Sequence, residues 1–356
     1  MSDAVPRGGS DRRCAGAGLR GVMCPRIRPP IAEQRSDVAG ARLERGDSMF
    51  FYLFRRLLQA IPTLLLVITV SFFLMRLAPG GPFDNEIQAP PEIEANLKAA
   101  YHLDQPLLTQ YVRYLDNLLH GDLGPSFKYR DRSVNDLIAT GFPVSARLGV
   151  WAMALALLVG VPLGIWAALR HNRGSDYAVM GLALAGIAVP NFVVAPVLAL
   201  LFSVTLGWLP AGGWGDGQWR YLLLPVLALA IPQVAYIARL MRGSMIEVLA
   251  SPHIRTARAK GLSTAAVVWR HALRPASMPL LSYLGPAMVG IITGSVVIEQ
   301  IFGLPGIGRF FVQAALSRDY TLVMGVVVFY GVLIVGFNLL VDVLYSVLNP
   351  QIRYED

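Results

Sequence analysis

The chain has 356 residues, of which 54% are hydrophobic and only 15% are charged, and its formal net charge is +8. Soluble domains normally carry about 25% charged residues, so this composition is that of a membrane protein. The basic residues are not gathered in one polar domain, which argues against nucleic-acid binding. The two cysteines, Cys14 and Cys24, precede the first long apolar segment and supply no disulfide framework or metal site for the rest of the chain.

Residues 1–48 differ from the rest of the chain. They contain nine Arg and six acidic residues and show no apolar periodicity, so we expect an unstructured extension outside the fold. The six acids argue against a transit peptide, and no apolar segment suits a secretory signal. Met49 would be a natural first residue, so a misassigned start is an alternative explanation of these residues.

Six later segments contain no Asp, Glu, Lys or Arg. Each is close to or above the roughly 18–20 residues that cross about 30 Å of hydrocarbon, a pattern that buried core helices of a soluble protein do not explain. The sequence therefore predicts an all-α polytopic membrane protein with six transmembrane helices, at about 57–75, 148–169, 179–206, 221–238, 278–298 and 321–344.

The polar segments set the predicted topology. Lys and Arg cluster in the short loops that would face the cytoplasm if the N-terminus lies inside, so both termini are expected there. Two short amphipathic helices, Glu92–Tyr101 and Leu107–Leu119, are predicted in the first outer segment. The expected organisation is an extension (1–48), a first transmembrane segment (49–78), a periplasmic segment (79–142), a five-helix core (143–346) with a polar insert (239–275), and a cytoplasmic tail (347–356).

The polar insert contains the most informative local pattern. Ser251 is expected to cap a helix that has Pro252 in its first position. That helix, His253 to Lys260, places Arg255 and Arg258 on one face. Gly261 then ends it.

A second helix of the insert is expected from Thr264 to Leu273, capped by Ser263 and stopped by Pro275. The insert would thus be a helix-turn-helix between the fourth and fifth spans. Two uses fit it from the residues alone: docking of a soluble partner, or an interfacial element on anionic lipid, which basic residues also suit.

The insert resembles the loop of binding-protein-dependent ABC importer permeases that is named after the pattern Glu-Ala-Ala, three residues, Gly. Here the chain has Arg255-Thr256-Ala257, three residues and Gly261, so it keeps the second Ala and the Gly and departs at the first two positions. The resemblance implies a coupling helix that sits in a groove of the ATPase subunit. It assigns this docking role to Ser251, Pro252, His253, Ile254, Arg255, Thr256, Ala257, Arg258, Ala259, Lys260, Gly261, Leu262 and Ser263.

Other segments, among them 121–128, 242–249, 303–308 and 318–320, are similar to the B-type permease subunit of oligopeptide importers, and the resemblance covers residues 49–354. It implies a type I ABC importer permease fold in the bacterial inner membrane, with a small periplasmic helical segment after the first helix. The implied partners are a second homologous permease subunit, two cytoplasmic ATPase subunits and a peptide-binding protein. No cofactor, metal or nucleic acid is implied.

The chain has no Gly-x-x-x-x-Gly-Lys-Ser/Thr phosphate loop, so we expect a transport subunit without a nucleotide site or catalytic residues. The same scaffold could instead import dipeptides or a nickel chelate. A self-contained channel or intramembrane protease is disfavoured, because neither a filter motif nor a catalytic pair is found in the spans.

Two acids are candidate pathway or gate residues, since carboxylates within membranes are often functional. Glu299 is expected at the outer end of the fifth span, where interfacial solvation is the alternative. Asp342 is expected near the inner end of the sixth span, where water or a neighbouring Arg could satisfy it.

Overall fold

The computed structural model describes residues 31–77, 103–129 and 131–348, with side chains described from residue 54 to residue 344 within these ranges. The described residues are mainly helical. Their α-helices are α1 (Ile31–Leu77), α2 (Leu107–Leu119), α3 (Val134–Leu169), α4 (Gly174–Ala188), α5 (Asn191–Ala199), α6 (Trp219–Leu249), α7 (Pro252–Ala259), α8 (Thr264–Val267), α9 (Leu273–Ala276), α10 (Met278–Phe302), α11 (Ile307–Leu316) and α12 (Tyr320–Leu348).

Five of the described helical segments are long and apolar enough to cross a membrane: Phe54–Leu77, α3, α6, α10 and Tyr320–Leu344. The sixth candidate is broken. It consists of α4 and the helical run Asn191–Thr205, which are bent by 98° relative to one another. The bend falls at Val189 and Pro190, where proline disfavours helical backbone in the residue before it. The prediction of a polytopic all-α protein is confirmed, with a sharp break in the third span.

Helix α3 begins with a reciprocal cap and then packs closely on α6. The Ser133 hydroxyl accepts a hydrogen bond from the Asp136 backbone N–H, and the Asp136 carboxylate accepts one from the Ser133 N–H. Further along α3, a Cβ on Gly164 would lie 2.6 Å from the Ala238 carbonyl oxygen of α6. The missing side chain therefore lets the two helix backbones approach directly, as small residues do in membrane bundles.

Helix α2 has the predicted bounds, and it packs beside α1. The Thr69 and Tyr111 hydroxyls lie 2.6 Å apart, and the rings of Phe72 and Tyr111 meet edge to face at 5.3 Å. The other predicted helix of this segment, Glu92–Tyr101, lies outside the described residues.

The N-terminal extension departs in part from the expectation. Residues 31–48 belong to α1 and are helical, whereas the sequence predicted an unstructured segment. Three Ala, three Arg and two Glu lie there, and these residues have high intrinsic helix propensity. Residues 1–30 and 349–356 lie outside the described residues.

Candidate coupling surface and buried carboxylates

Helix α7 follows α6 after a two-residue connection and begins as expected at Pro252. Ser251 occupies the N-cap position, but its hydroxyl donates to the Val248 carbonyl oxygen (2.5 Å) instead of accepting from the new helix. The prediction that the Ser251 side chain caps α7 is therefore wrong. The Val248 carbonyl at the preceding helix end also accepts from the Ser251 N–H (3.0 Å), so hydroxyl and amide of Ser251 both close the end of α6.

The C-terminus of α7 is closed by Gly261, whose φ is +79°. The Gly261 N–H donates to the Arg258 carbonyl (2.9 Å), and the Leu262 N–H donates to the Ala257 carbonyl (3.4 Å). This pair of bonds is the Schellman motif, which needs a left-handed residue at the position of Gly261. The prediction that Gly261 ends this helix is confirmed.

One face of α7 is buried and the other is open. Ile254 and Ala257 are buried and belong to the same apolar cluster as Met241 and Met245 of α6. An isolated helix of eight residues is not stable in water, so this contact holds α7 in place. The opposite face is exposed and carries, at neutral pH, three positive charges and no acid; its residues are His253, Arg255, Thr256, Arg258, Ala259 and Lys260.

The helix after Gly261 is longer than predicted. The Ser263 hydroxyl accepts from the Ala266 N–H (3.3 Å) and so caps α8, as expected. The chain then continues through a π-helical turn, Val268–Ala272, into α9, which contains Pro275. The prediction that Pro275 stops the helix is wrong. The π-helical turn lies directly before Pro275 and widens the spacing of the backbone hydrogen bonds. The helix can therefore continue past a proline that has no N–H to donate.

A buried ion pair fixes the turn between α3 and α4 onto α6. Both carboxylate oxygens of Asp176 accept hydrogen bonds from Arg242, at 2.6 and 2.7 Å, and Asp176 also accepts from the Asn172 N–H. Asp176 is fully buried. The sequence analysis assigned no role to this residue, although an aspartate in the first turn of an apolar helix indicates a charge that needs a partner.

Glu299, a predicted pathway residue, is fully buried at the end of α10. Its Oε1 accepts from the hydroxyls of Ser145 (2.6 Å) and Ser295 (2.8 Å), and its Oε2 accepts from the Arg309 N–H (3.3 Å). A Cβ on Gly306 would lie 2.3 Å from the carboxylate carbon. Within this chain, Glu299 thus ties the glycine-rich turn and the positive N-terminus of α11 to α3, and interfacial solvation of its carboxylate is not observed.

Asp342, the other predicted pathway residue, forms an ion pair with Arg56 of α1, at 2.9 Å between Nη1 and Oδ2. The two side chains are 18% and 42% exposed, respectively. The Asp342 carboxylate is therefore paired with a neighbouring arginine, one of the two partners, water or arginine, that the sequence left open. The pair joins the first and last transmembrane helices.

Asp319 forms a further buried carboxylate site that sequence reasoning did not identify. Its Oδ1 accepts from the Leu322 N–H (3.1 Å), which makes it the N-cap of α12. Its Oδ2 accepts from the Ser126 hydroxyl (2.5 Å) and from the backbone N–H groups of Phe127 and Lys128. One side chain thereby connects the outer segment before α3 with the start of the last helix.

Beside it, the Tyr129 hydroxyl donates to Gln313 of α11 (2.5 Å). Burial raises the pKa of Tyr129, so the hydroxyl keeps its proton and remains a donor.

The arrangement of helices resembles solved transporter subunits. A chain of the MetNI methionine ABC transporter in an inward-facing conformation superposes with a TM-score of 0.50 and 16% identity, over 60% of this chain and 96% of that one. A likeness of this kind defines the fold class, a type I ABC importer permease.

The sequence comparisons place the chain within that class. Residues 160–354 match the family described as binding-protein-dependent transport system inner membrane component. Residues 49–149 match the family described as the N-terminal part of the membrane component of binding-protein-dependent transport systems. The chain belongs to this family, and is thus a multi-pass inner-membrane permease component of an ABC transporter, whose ATPase is a separate subunit. Residues 1–48 precede both matched regions.

Curated relatives include the oligopeptide transport system permease proteins OppB of Salmonella typhimurium and Escherichia coli K12. Each is 57% identical to the chain over 306 residues, which are 86% of this chain and 100% of the relative. The dipeptide transport system permease protein DppB of Bacillus subtilis is 45% identical over 302 residues, which are 85% of this chain and 97% of the relative.

Proposed function

We propose that this chain is the permease subunit of an ATP-driven importer that takes up oligopeptides delivered by a binding protein. It forms half of the translocation pathway together with a second, homologous permease. It docks on one of two cytoplasmic ATPase subunits through residues 251–263. Both chain termini face the cytoplasm.

The observation that carries this proposal is the exposed basic face of α7, whose other face packs on α6. Ile254 and Ala257 anchor the helix to α6, so a force applied to its outer face reaches a transmembrane helix directly. The exposed side chains of Arg255, Arg258 and Lys260 suit an acidic groove on the ATPase. ATP-driven closure of the ATPase pair would then displace α7 and α6 together.

The cargo assignment follows the sequence relatives. Relatives named for oligopeptides share 57% identity with the chain, while a relative named for dipeptides shares 45%. Dipeptide uptake on the same scaffold is therefore the second candidate. A nickel chelate, the other alternative from sequence, has no supporting observation.

The proposal is tested by reversing charge on the exposed face of α7. The double variant Arg255→Glu, Arg258→Glu is reconstituted in lipid with the second permease, the ATPases and the binding protein. We expect wild-type complexes to increase ATP hydrolysis with an oligopeptide-loaded binding protein, and the variant to lose that stimulation. Because both side chains are exposed, the fold should persist. The matched control is Arg113→Glu, which reverses an exposed charge on α2.

Gly261 offers an independent test of the same surface. A Cβ at this position meets nothing within 4 Å, so substitution acts through the left-handed backbone, at about 1–2 kcal/mol for most residues. Gly261→Val should uncouple hydrolysis from peptide, whereas Gly261→Asn, which tolerates φ > 0, should keep most stimulation. Normal coupling in both the charge-reversed and the valine variants would reject docking through this loop. Stimulation by dipeptide alone would keep the docking and change the cargo.

A further inference from the structure

An apolar groove of about 330 Å³ lies between α3, α4 and α6. Its walls include Leu155, Val159 and Leu163 of α3 and Val179 and Leu182 of α4, with Leu227 to Ala238 of α6 as the third wall. Every residue of the lining is apolar. Two small residues of α4, Ala183 and Gly186, also line the groove.

The length of the groove matches one leaflet of a bilayer. Leu227 and Ala238 are eleven residues apart, which is about 16 Å along a helix. Half of the roughly 30 Å hydrocarbon core is about 15 Å. A single lipid acyl chain spans one leaflet and therefore matches the length of the groove.

The end of the groove near the α3–α4 turn is polar and basic. Arg170 ends α3 and lies seven residues, or about 10 Å, beyond Leu163; its guanidinium stacks on the ring of Trp166 at 5.0 Å. Arg173 precedes α4 by one residue, about 9 Å from Val179. Both arginines are exposed. Tryptophan and arginine together are typical of the membrane–water interface, and the two charges suit an anionic headgroup.

We propose that this groove is a specific binding site for one anionic phospholipid. One acyl chain lies along α3, α4 and α6, and the headgroup phosphate contacts Arg170 and Arg173. The bound lipid fills the space beside the bend at Val189 and Pro190. Because Asp176 joins the same turn to Arg242 of α6, the lipid contacts the element that leads to the coupling helix.

The test uses the assembled transporter in nanodiscs that contain a trace of phosphatidylglycerol with a photoreactive diazirine in its acyl chain. After illumination, mass spectrometry maps and quantifies the cross-links. We expect them to concentrate on the groove-lining residues of α3, α4 and α6 and to be displaced by unlabelled phosphatidylglycerol. A phosphatidylcholine probe with the same acyl chain should label the groove several-fold less.

Two sets of variants distinguish a specific lipid-binding site from general contact with the bilayer. Gly186→Leu places a side chain on the groove wall, where its Cβ lies 3.2 Å from the Cβ of Ala235, and should reduce groove labelling several-fold. Gly181→Leu on the same helix, where a Cβ meets nothing within 4 Å, should leave it unchanged. The pair Arg170→Gln, Arg173→Gln should remove the preference for phosphatidylglycerol without changing the fold.

Uniform labelling of all lipid-facing surfaces, or equal labelling by the two lipids, would overturn the proposal. Absence of groove labelling in the assembled complex would also overturn it, and cross-links between this chain and the second permease at the groove would then identify the actual occupant. If Gly186→Leu fails to assemble, the arginine pair and the wild-type map still decide the outcome.

Discussion

The buried pair of Asp176 and Arg242 gives the sharpest prediction about this protein, because removing one partner leaves the other charge uncompensated. Asp176→Asn keeps the shape of the side chain and removes its charge. The carboxylate is fully buried and binds the guanidinium through both oxygens, at 2.6 and 2.7 Å. Breaking a buried ion pair in this way typically costs about 3–5 kcal/mol.

That cost corresponds to a large change in thermal stability. The shift in unfolding temperature per kcal/mol falls as a protein becomes larger, and the Arg242 side chain left behind is 24% exposed, so we expect Asp176→Asn to lower the unfolding temperature by several degrees. The measurement is thermal unfolding of the purified complex in nanodiscs. Asp116→Asn is the matched control, because Asp116 lies exposed on α2, and it should unfold within about 1 °C of wild type.

A double variant separates the effect of charge from that of shape. In Asp176→Asn, Arg242→Gln both charges are absent, so most of the lost stability should return, because no uncompensated charge is buried. An unfolding temperature equal to wild type in Asp176→Asn would refute the assigned role of the pair. A double variant no more stable than the single one would show that shape or hydrogen bonding, and not charge, is what matters at this site.

The other acids should respond according to their burial and partners, all measured as unfolding temperature with peptide-stimulated ATP hydrolysis beside it. Glu299→Ala leaves the donors at Ser145 and Arg309 without an acceptor, at a cost of about 1–3 kcal/mol for each unsatisfied group. It should therefore be among the least stable variants, and an unfolding temperature equal to wild type would contradict the buried network. Asp319→Ala removes the N-cap of α12, worth about 1 kcal/mol, and also the acceptor that holds residues 126–128. We expect faster hydrogen exchange at residues 126–128, and unchanged protection there would disprove this role. Asp342→Asn breaks a partly exposed pair and should cost no more than about 1 kcal/mol; loss of transport at normal stability would instead support a pathway role for this residue.

Local rules were sufficient for several elements of the fold. The charge-free segments predicted the transmembrane helices, because a span needs about 20 apolar residues whatever packs around it. Helix α7 was predicted within one residue at either end, because Pro252 fixes the backbone at its start and glycine favours the left-handed conformation at its end. The bounds of α2 followed from its apolar period.

Partners that are distant in sequence were decided by packing. Ser145 and Glu299 are 154 residues apart, and Asp176 and Arg242 are 66 apart, so neither pairing has a local signature. From the sequence, Glu299 was a candidate pathway residue because carboxylates within membranes are often functional, and interfacial solvation was the alternative. Only the fold of α11 across that end buries the carboxylate among serine and backbone donors.

The same distinction explains the local errors. The Ser251 hydroxyl could accept a hydrogen bond from the start of α7 or donate one to the end of α6. In the structure it donates to the Val248 carbonyl. A proline at position 275 is compatible with a helix once a π-helical turn precedes it, which depends on how α8 and α9 pack on α6. The sequence by itself determined which segments are long and apolar enough to cross a membrane and where α7 begins and ends, because those properties arise from hydrophobicity and backbone preference within a few residues. The tertiary structure alone decided which charges are buried, what they pair with and where the groove lies, because desolvation and contact depend on chain segments brought together from far apart.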